Sequence, residues 1–312
     1  MQIIYPNEKF EPKIELAATV GFFDGVHVGH RFLIDELIKT ANNQKLKSAV
    51  FTFMKHPRKV LHADFQPLLL TTSNEKLAQL AKTGIDYCIV LDFTTEMSML
   101  SASEFLNQIL RKQFNVSTLL VGHDHRFGHN RMESYPEYKI YGEKLGMNVI
   151  QSTRFALPDN THISSSDIRK SLSEGNITLA NKLLNYNYSF VGKVIDGFKN
   201  GRKLGFPTAN LQPIDSEKLI PTTGVYAVKV LIHNIYYSGM LNIGNRPTLE
   251  NGHHRSIEVN IFDFEQDIYN QEIMLILIAK IRDEQKFNSL DELISQLKQD
   301  KLKSIQLLNL QQ

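Results

Sequence analysis

The sequence predicts two domains of different fold class: an α/β domain on a parallel sheet, then a β domain folded as an antiparallel barrel. In the first half, short apolar runs alternate with helical patterns, whereas from Tyr188 the apolar runs follow one another with only turns between them. The 312 residues also exceed the length of one typical domain. We place the predicted boundary at about 185, which gives domains 1–185 and 186–312.

The first half contains candidate strands and helices in alternation. The strands are Ile14–Val20, Lys47–Phe53, Tyr87–Leu91, Thr118–Val121 and Met147–Gln151, and the helices lie near 30–42, 73–83, 101–113 and 136–145. Ser101 and Glu104 have capping-box spacing, which satisfies unpaired N–H groups at a helix start. The alternation is typical of βαβ units, which build a parallel sheet with helices on both faces. Two short helices, near 166–173 and 176–184, end this half.

The second half contains candidate strands that alternate apolar and polar side chains, as Ile257, Val259 and Ile261 do, which is typical of half-buried antiparallel strands. The strands are Val191–Ile195, Val225–Leu231, Tyr236–Leu241, Ile257–Phe262 and Glu272–Ile281. Because closure removes exposed edges, we expect a small closed barrel. A C-terminal helix follows, with capping-box spacing at Ser289 and Glu292. Its predicted apolar face is Leu290, Leu293, Ile294 and Leu297.

The composition argues against several classes of protein. Lys and Arg total 35 against 33 Asp and Glu, and a net charge of +2 does not suit a chain built to neutralise nucleic-acid phosphates. The single cysteine, Cys88, excludes an internal disulfide framework. The apolar run Ile273–Ala279 is far shorter than the roughly 20 residues of a membrane-spanning helix, and Asn7, Glu8 and Lys9 interrupt any signal peptide. We therefore expect a cytoplasmic protein, monomeric or weakly homo-oligomeric, without nucleic-acid or membrane partners.

The segment 21–30, GFFDGVHVGH, has the composition of a phosphate site between a strand and a helix. Its glycines, which permit close backbone approach, are Gly21, Gly25 and Gly29. The following helix N-terminus presents free N–H groups to an anion, and His27 and His30 can bind the same anion. Two solvated loop histidines, or half of a metal site, are the alternatives. No cysteine or nearby carboxylate pair completes a zinc-like ligand set, although Asp24 could orient a histidine.

A second segment, HISSSDIR over 162–169, lies far along the same half. Its three serine hydroxyls can cap a helix and also donate to phosphate oxygens, and Arg169 can bind the same phosphates one turn later. Taken alone, the segment also fits a plain N-cap followed by a surface arginine.

Together, GFFDGVHVGH and ISSSDIR resemble the HxGH and ISSTxxR signature pair of nucleotidyltransferases. Three further segments, FTFMKHPRKVL (51–61), LLLTTSNEKLAQL (68–80) and VGHDHRFGHNR (121–131), resemble one family, the prokaryotic bifunctional riboflavin kinase/FAD synthetase. The resemblance implies a Rossmann-like N-terminal domain that transfers AMP from ATP to FMN and releases pyrophosphate.

The resemblance also implies roles for the residues that match the family's motifs. His27 and His30 are expected to be catalytic, by binding the ATP phosphates and stabilising charge on the α-phosphoryl group. Ser165, Ser166 and Arg169 are expected to hold the β- and γ-phosphates. The other residues expected to bind ATP here are Gly21, Phe22, Asp24, Gly25 and Gly29. The residues expected near the flavin and the nucleotide are Asp124, Arg126 and Phe127.

This chemistry needs no protein nucleophile, because the phosphate of FMN is the attacking anion and Mg²⁺ bridges the ATP phosphates. The sequence departs from the family at several positions: Lys55 replaces a usual proline, His125 a usual phenylalanine, and Met132, Glu133 and Ser134 a glycine-containing turn. These departures leave a second hypothesis open, a riboflavin kinase whose N-terminal domain binds nucleotide without productive transfer.

The barrel half begins with a second candidate phosphate loop, GRKLGFPTAN over 201–210. The oxygens of Thr208 and Asn210 are neutral ligands of the kind that Mg²⁺ accepts. The alternative is a basic hairpin turn that leads into a strand, with Pro207 at the edge. The segment does not match the Walker A pattern.

PTAN, GMLNIGNRPT (239–248) and SIEVNIFDFEQDIYNQEI (256–273) together resemble the flavokinase barrel, which phosphorylates riboflavin to FMN. The resemblance places Glu258 as the catalytic base that takes the proton of the ribityl 5′-hydroxyl. The residues expected to bind ATP are Gly192, Gly201, Lys203, Gly205, Pro207, Thr208 and Asn210. An isolated strand glutamate is otherwise a solvated side chain. A third hypothesis is a non-enzymatic protein, either a flavin-sensing module or a nucleic-acid-binding protein with a small barrel. A sensor would have no evident use for Glu258 beside a phosphate loop, and the balanced charge argues against nucleic acid.

Overall fold

The computed structural model describes residues 1–6, 8, 10, 14–61, 64, 68–123, 125–129, 131–155, 163–197, 201, 204–246 and 254–310. The chain divides by its residue contacts into two compact units, Met1–Ser164 and Ser165–Gln312. The two helices after this division are joined to the second unit by hydrogen bonds from Thr222 N to Leu172 O and from Asn181 Nδ2 to Leu277 O. The functional boundary at about 185 remains a prediction.

The first unit contains a six-stranded parallel sheet with the order β1-β4-β3-β2-β5-β6. The strands are β1 Gln2–Ile4, β2 Leu16–Val20, β3 Lys47–Phe53, β4 Tyr87–Leu91, β5 Val116–Val121 and β6 Asn148–Gln151. β2 is buried at every residue, as expected of a central strand covered on both faces. The predicted strands are confirmed. The sequence analysis missed β1, because three residues are too few to show a periodicity.

Helices cover both faces of this sheet, as predicted. They are α1 Val28–Gln44, α2 Pro57–Leu61, α3 Ser73–Ala81, α4 Thr95–Met99, α5 Ala102–Glu104, which continues as a π-helix over Phe105–Gln113, and α6 Tyr135–Leu145. On one face, Leu37 of α1 and Leu80 of α3 pack against the sheet. On the other face, Leu106 of the π-helix and Tyr138 of α6 do so. The Ser101–Glu104 capping box also forms.

The second unit begins with α7 Ser165–Ser173 and α8 Ile177–Leu184 and continues as a closed antiparallel barrel, which confirms the predicted fold class. The barrel order is β10-β11-β8-β7-β12-β9. The strands are β7 Ser189–Ile195, β8 Ala209–Pro213, β9 Gly224–Ile232, β10 Ile235–Arg246, β11 His254–Ile261 and β12 Glu272–Arg282. The sequence analysis missed β8, a short strand that starts inside the PTAN motif and ends at a proline.

The final helix, α9 Leu290–Asn309, packs on the outside of the barrel, where Leu308 joins a cluster with Val225, Ala227 and Met240. The predicted apolar face of this helix is only partly correct, because Leu290 is 65% exposed. The helix instead turns buried Asp300 toward the barrel, where its Oδ2 lies 2.8 Å from Arg282 Nη2. Among the described residues, no helix is both long enough and apolar enough to span a membrane.

The predicted capping box of α9 forms only in part. Ser289 Oγ accepts a hydrogen bond from Glu292 N at 3.2 Å, as the motif requires. The Glu292 carboxylate, however, accepts from Asn288 N at 2.9 Å rather than from Ser289 N. The start of the helix is therefore still capped, but the Glu292 carboxylate bonds to the backbone N–H of Asn288, one residue before the expected Ser289.

Candidate functional sites

The first candidate site lies at the carboxyl ends of β2 and β5, which are neighbours in the parallel sheet. After β2 the chain builds β3 and β4 on one side, and it later adds β5 and β6 on the other. The loops that leave such a pair of strands diverge, so a crevice forms at this point and commonly binds a ligand. The glycine-rich segment 21–30 follows β2, and His125 follows β5 shortly after its end at Val121.

The backbone between β2 and α1 is strained. Phe23 has a φ of 55° and Val26 a φ of 39°, a left-handed conformation that side chains with a Cβ rarely adopt, whereas Gly25, with a φ of 81°, adopts it readily. Such strain costs about 1–3 kcal/mol per residue and persists only where the surroundings impose it. Phe23 and Val26 are both buried, so packing imposes it here. Strain of this kind concentrates at binding sites.

The carboxylate of Asp24 anchors this strained segment to the residues that precede α3. It is 3% exposed and accepts hydrogen bonds from Leu70 N and Thr71 N, each at 3.0 Å. Thr71 Oγ1 donates to the same carboxylate at 3.2 Å and accepts from Gly25 N at 3.0 Å. Asp24 therefore supports the loop from beneath. A contact between Asp24 and ATP remains a prediction from the motif.

The two histidines of the predicted phosphate site stack at the start of α1. Their ring centroids are 3.6 Å apart and their planes are inclined by 19°. His27 Nδ1 accepts a hydrogen bond from His30 N at 3.3 Å, which caps the helix. Because Nδ1 is the acceptor, the proton of the neutral His27 ring is on Nε2, where it can be donated. A Cβ at Gly29 would lie 3.3 Å from the His27 ring, so glycine leaves room for that ring.

His30 has a buried ring nitrogen with no partner. Its Nδ1 makes no hydrogen bond among the described residues. Burial, and then the neighbouring charges of His27 and His125, lower the pKa of His30 well below the usual 6.5. His30 is therefore neutral at pH 7 in the free protein. A buried polar atom without a partner costs about 1–3 kcal/mol, so this nitrogen is suited to a bound ligand.

Beneath the same loop lies Lys76, which the sequence analysis missed. Lys76 is 2% exposed, its Nζ donates to Phe53 O at 2.5 Å, and the same atom lies 4.2 Å from the centroid of the Phe22 ring. Burial lowers the pKa of Lys76 to about 8, although the charge of Asp24 opposes this shift. Lys76 lies next to Leu77 on the buried face of α3. The helical periodicity of the sequence could therefore have indicated that the lysine is buried.

The loop after β5 carries the three residues predicted to lie near the flavin, and the structure describes two of them. Phe127 stacks on Tyr138 with ring centroids 4.1 Å apart, so it packs into the core on one face of the sheet. Arg126 is exposed, and Asp124 lies outside the described residues. The substituted Glu133 accepts a hydrogen bond from Tyr141 Oη at 2.9 Å, which ties this departure from the family to α6.

The serines and arginine of the second motif belong to α7, in the other unit. Ser165 begins this helix, and Ser166 and Arg169 lie within its first two turns. Their expected contacts with the ATP phosphates therefore remain a prediction from the motif.

The second candidate site lies on the outer face of the barrel, where β8, β11 and β10 run side by side. Glu258 of β11 pairs in register with Asn210 of β8 and with Asn242 of β10, so the three side chains project from one face. Met240, two residues before Asn242, packs against α9 outside the barrel, which identifies this face as the outer one. Glu258 is partly buried there.

Thr208 and Asn210 lie beside Glu258, as the motif predicts. Thr208 Oγ1 donates to Glu258 Oε2 at 3.3 Å. Asn210 is 8% exposed, and a Cβ at Gly197 would lie only 2.0 Å from its Nδ2. Thr208, Asn210, Gly197 and Pro207 line a cavity of about 470 Å³ together with the segment 264–269. Ligand sites commonly have this size.

Close backbone packing shapes the loop that precedes this cavity. Phe206 N donates to Gly201 O at 2.9 Å, and a Cβ at Gly201 would lie 2.2 Å from Phe206 O. Gly205 has a φ of 77°, which favours glycine. Gly192 lies in β7, where a Cβ would approach Leu211 Cβ at 3.2 Å. These contacts explain the glycines by packing and leave their expected contact with ATP untested; Lys203 lies outside the described residues.

Asn260 supports the PTAN motif from below, and the sequence analysis missed it. It is 6% exposed, and its Nδ2 donates to Pro207 O at 2.6 Å. Asn260 lies two residues after Glu258 on the same strand, so it shares the outer face of the barrel. The sequence signal for Asn260 was its position two residues after Glu258, the expected catalytic base, which puts both side chains on the same face of the strand.

Comparisons with known proteins agree with this arrangement. The FAD synthetase family model matches residues 10–167, and the riboflavin kinase family model matches residues 184–308. The bifunctional riboflavin kinase/FMN adenylyltransferase of Escherichia coli K12 is 37% identical over 292 residues, covering 93% of this chain and 92% of the relative. The protein of the same description from Bacillus subtilis 168 is 36% identical over 312 residues, covering 98% and 96%.

Among solved structures, one described as a macrolide-efflux protein from Streptococcus pneumoniae superimposes with a TM-score of 0.86. It is 32% identical to this chain, and the match covers 96% of this chain and 97% of the other. The fold of both units is thus also found in a crystal structure.

Proposed function

Because this chain belongs to the family of bifunctional riboflavin kinases/FMN adenylyltransferases, we propose here which of its residues carry each of the two activities. The protein phosphorylates riboflavin to FMN with ATP, and it transfers AMP from ATP to FMN to give FAD and pyrophosphate. A kinase without productive adenylyl transfer is not favoured, since the FAD synthetase model matches 10–167.

For adenylyl transfer, we assign the ATP phosphates to the crevice between the ends of β2 and β5. A phosphate oxygen of FMN attacks the α-phosphorus, a new P–O bond forms, and the bond to the bridging oxygen breaks as pyrophosphate leaves. His27 donates through Nε2–H, and His30 offers the ring nitrogen that has no partner within the described part of the chain. Donors placed in this way stabilise the charge that develops in the transition state.

Phe22 and Asp24 support this site from the side and from beneath. Lys76 lies over the Phe22 ring, and Asp24 fixes the loop through Thr71, so the glycine-rich segment keeps its strained shape before ATP arrives. Preorganisation of this kind lowers the cost of ordering the loop on binding. From the motif, we propose that Ser165, Ser166 and Arg169 bind the departing phosphates, and that Arg126 and Asp124 serve the flavin side.

For riboflavin phosphorylation, we assign the base to Glu258. The ribityl 5′-hydroxyl attacks the γ-phosphorus of ATP, its proton passes to the Glu258 carboxylate, and the bond to the bridging oxygen breaks as ADP leaves. The single observation that carries this assignment is the position of Glu258, between Asn210 and Asn242 and 3.3 Å from Thr208 Oγ1. A carboxylate beside a phosphate loop is suited to general base catalysis.

We also propose that Thr208 and Asn210 hold Mg²⁺. Their hydroxyl and amide oxygens are hard ligands of the kind that Mg²⁺ prefers, and both residues line the 470 Å³ cavity. Among the described residues, no three His, Cys, Asp or Glu side chains are placed to hold a metal together. The ion would therefore share its remaining coordination between ATP phosphates and water, and it would neutralise phosphate charge during transfer.

Two substitutions test this division of labour in the full-length chain. We expect His30→Ala to abolish FAD formation from FMN and ATP while FMN formation from riboflavin continues. We expect Glu258→Ala to do the reverse, since FMN can be supplied to the first unit directly. Chromatography of the flavins measures both steps. The assignment is wrong if either variant, soluble and folded, loses both activities.

We further propose that the protein works in the cytoplasm as a monomer or weak homo-oligomer, with riboflavin, FMN and ATP as its partners. The net charge of +2 supports small-molecule substrates over nucleic acid. Sedimentation velocity with and without FMN and ATP measures the oligomeric state, and a tight oligomer at micromolar concentration would contradict this proposal.

A further inference from the structure

His125 lies at the end of β5 and has no part in the function described above. Its backbone N donates to Gly122 O at 3.1 Å, which closes a turn directly after the strand. A Cβ at Gly122 would lie 3.6 Å from His125 Cβ and 3.7 Å from Leu33 Cδ2. Gly122 thus borders both His125 and Leu33, and Leu33 lies one turn after His30 in α1.

Two imidazole nitrogens in this part of the crevice are buried without partners. They are Nδ1 of His30 and Nε2 of His125, and neither makes a hydrogen bond among the described residues. His30, one turn before Leu33 in α1, thus lies in the same part of the crevice as His125, and His125 is among the groups that lower the pKa of His30. One buried unpaired nitrogen already costs free energy, and two in the same crevice indicate that a ligand supplies the missing bonds.

Arg131 is the permanent cation among the groups that act on these rings. Arg131 lowers the pKa of His125 after burial has done so, and His27 and His125 lower the pKa of His30. The carboxylate of Asp24 is bonded to Leu70 and Thr71 instead. Neutral imidazole N–H groups can donate to a phosphate oxygen, and the N-terminus of α1 adds the positive end of its dipole.

We propose that His125 is a third phosphate-binding imidazole of the adenylyl-transfer site and donates through Nε2 to a phosphate oxygen of the reacting substrates. The inference rests on the proposed binding of ATP at His27 and His30. The oxygen belongs either to the α-phosphate of ATP or to the phosphate of FMN, since the two meet at this point during transfer. A phenylalanine at position 125 could fill the space but could not make the bond.

Two variants of the full-length protein separate bonding from packing. His125→Phe keeps a planar ring and removes the donor, whereas His125→Gln places an amide N–H near the position of Nε2. We expect His125→Phe to lower kcat/KM for FAD formation about 10-fold to 100-fold, as loss of a hydrogen bond to a charged group does. We expect His125→Gln to retain most of the activity. Riboflavin phosphorylation by the same molecules should equal that of the wild type and serves as the control.

Equilibrium titrations identify the phosphate involved. A weaker ATP affinity of His125→Phe in the absence of flavin assigns the oxygen to ATP, and a weaker FMN affinity alone assigns it to FMN; either result supports the proposal. Wild-type FAD formation by folded His125→Phe overturns it, as does an equal loss in both variants accompanied by a lower Tm. The His30→Ala variant tells the two proposals apart. If that variant still forms FAD, the proposed binding of the ATP phosphates at His27 and His30 is wrong, whatever the result for His125.

Discussion

At the scale of single residues, the first unit depends on His30 and His125, whose imidazoles are neutral at pH 7 in the free protein. His27 caps the helix through Nδ1, and burial lowers the pKa values of His30 and His125, with smaller effects from His27 and His125 on His30 and from Arg131 on His125. A neutral crevice of this kind can be desolvated without the high cost of isolated buried charge. An arriving polyphosphate would then favour protonation, so ATP binding should be accompanied by proton uptake.

The buried His125 predicts a pH dependence of stability. Its pKa is about 4 in the folded protein and near 6.5 when exposed, so the unfolded chain binds the proton first as the pH falls. Stability is therefore fully present above about pH 6.5 and falls with pH until about pH 4. We expect this single group to cost the wild type roughly 2 kcal/mol at pH 5 relative to pH 7.

Urea unfolding of the wild type and of His125→Phe, at pH 7 and pH 5, measures this effect. The loss of free energy of unfolding between the two pH values should be smaller in His125→Phe, although His30 contributes a similar loss to both proteins. Equal losses in the two proteins would show that His125 does not titrate in this range.

A second residue-scale prediction concerns Asn260. We expect Asn260→Asp, which replaces the donor to Pro207 O with an acceptor, to lower kcat/KM for riboflavin phosphorylation about 10-fold, because the PTAN motif loses its support. FAD formation from supplied FMN should be unchanged. The KM for ATP in riboflavin phosphorylation and the Tm, each measured for the wild type and for Asn260→Asp, test this prediction.

Asn181→Ala provides the matched control. Asn181 also bonds backbone groups of the second unit, accepting from Tyr188 N at 2.7 Å and donating to Leu277 O at 2.9 Å. Its loss should lower Tm without raising the KM for ATP. If the two variants behave alike, Asn260 is only structural.

Sequence motifs revealed these sites in part. Spacing along the chain predicted His27, His30 and Thr208 and, at the start of β8, Asn210, whereas the resemblance to the flavokinase barrel predicted Glu258 in β11; their roles stay predictions. Residues defined by contacts with distant segments were missed. Lys76 in α3 donates to Phe53 O at the end of β3, and Asn260 in β11 donates to Pro207 O just before β8. Periodicity can indicate that such a residue is buried, but it does not identify its distant partner.

At the scale of elements, the contact between Gly197 and Asn210 controls the second site. A Cβ at Gly197 would fall 2.0 Å from Asn210 Nδ2, so we expect Gly197→Ala to displace this side chain. The predicted result is a kinase activity lowered at least ~10-fold, with a higher Mg²⁺ concentration needed for half-maximal rate. Coupled detection of ADP over a Mg²⁺ series measures both quantities.

Gly84→Ala is the control for this substitution. Gly84 has a φ of 85°, but nothing lies within 4 Å of its added Cβ, so alanine there adds backbone strain without a clash. We expect a stability loss of about 1 kcal/mol and unchanged activities. An unchanged Mg²⁺ requirement in Gly197→Ala would argue against Asn210 as a ligand.

The elements themselves were predictable to different degrees. Long periodic helices and central strands were correctly predicted, because burial on one or both faces determines their apolar pattern. β1 and β8 are short and depend on neighbours: β1 pairs with β4, and β8 is placed between β7 and β11. Their formation is decided by the sheet they join, which the local sequence does not encode.

At the scale of the whole molecule, the helices α7 and α8 raise the question of where the kinase unit begins. Leu183 and Leu184 of α8 are buried, and Asn181 of the same helix bonds to β12. We therefore predict that a fragment 165–312 unfolds at a higher temperature than a fragment 186–312, because the shorter one exposes the surface that α8 covers. Calorimetry compares the two, with riboflavin phosphorylation as the test of folding. Equal Tm values for the two fragments would show that α7 and α8 do not stabilise the barrel, and would favour a role for these helices in the first unit.

The closed barrel imposes an order on biosynthesis. β7 cannot complete its ladder until β12 has been made, since Gly192 pairs with Ile273 across the seam. The parallel sheet, by contrast, has all its strands once β6 has been translated. As the nascent chain leaves the ribosome, the sheet can therefore fold while translation continues, whereas the barrel must wait almost until termination. A premature stop codon before β12 would thus spare the sheet and leave a barrel with an open, unpaired seam.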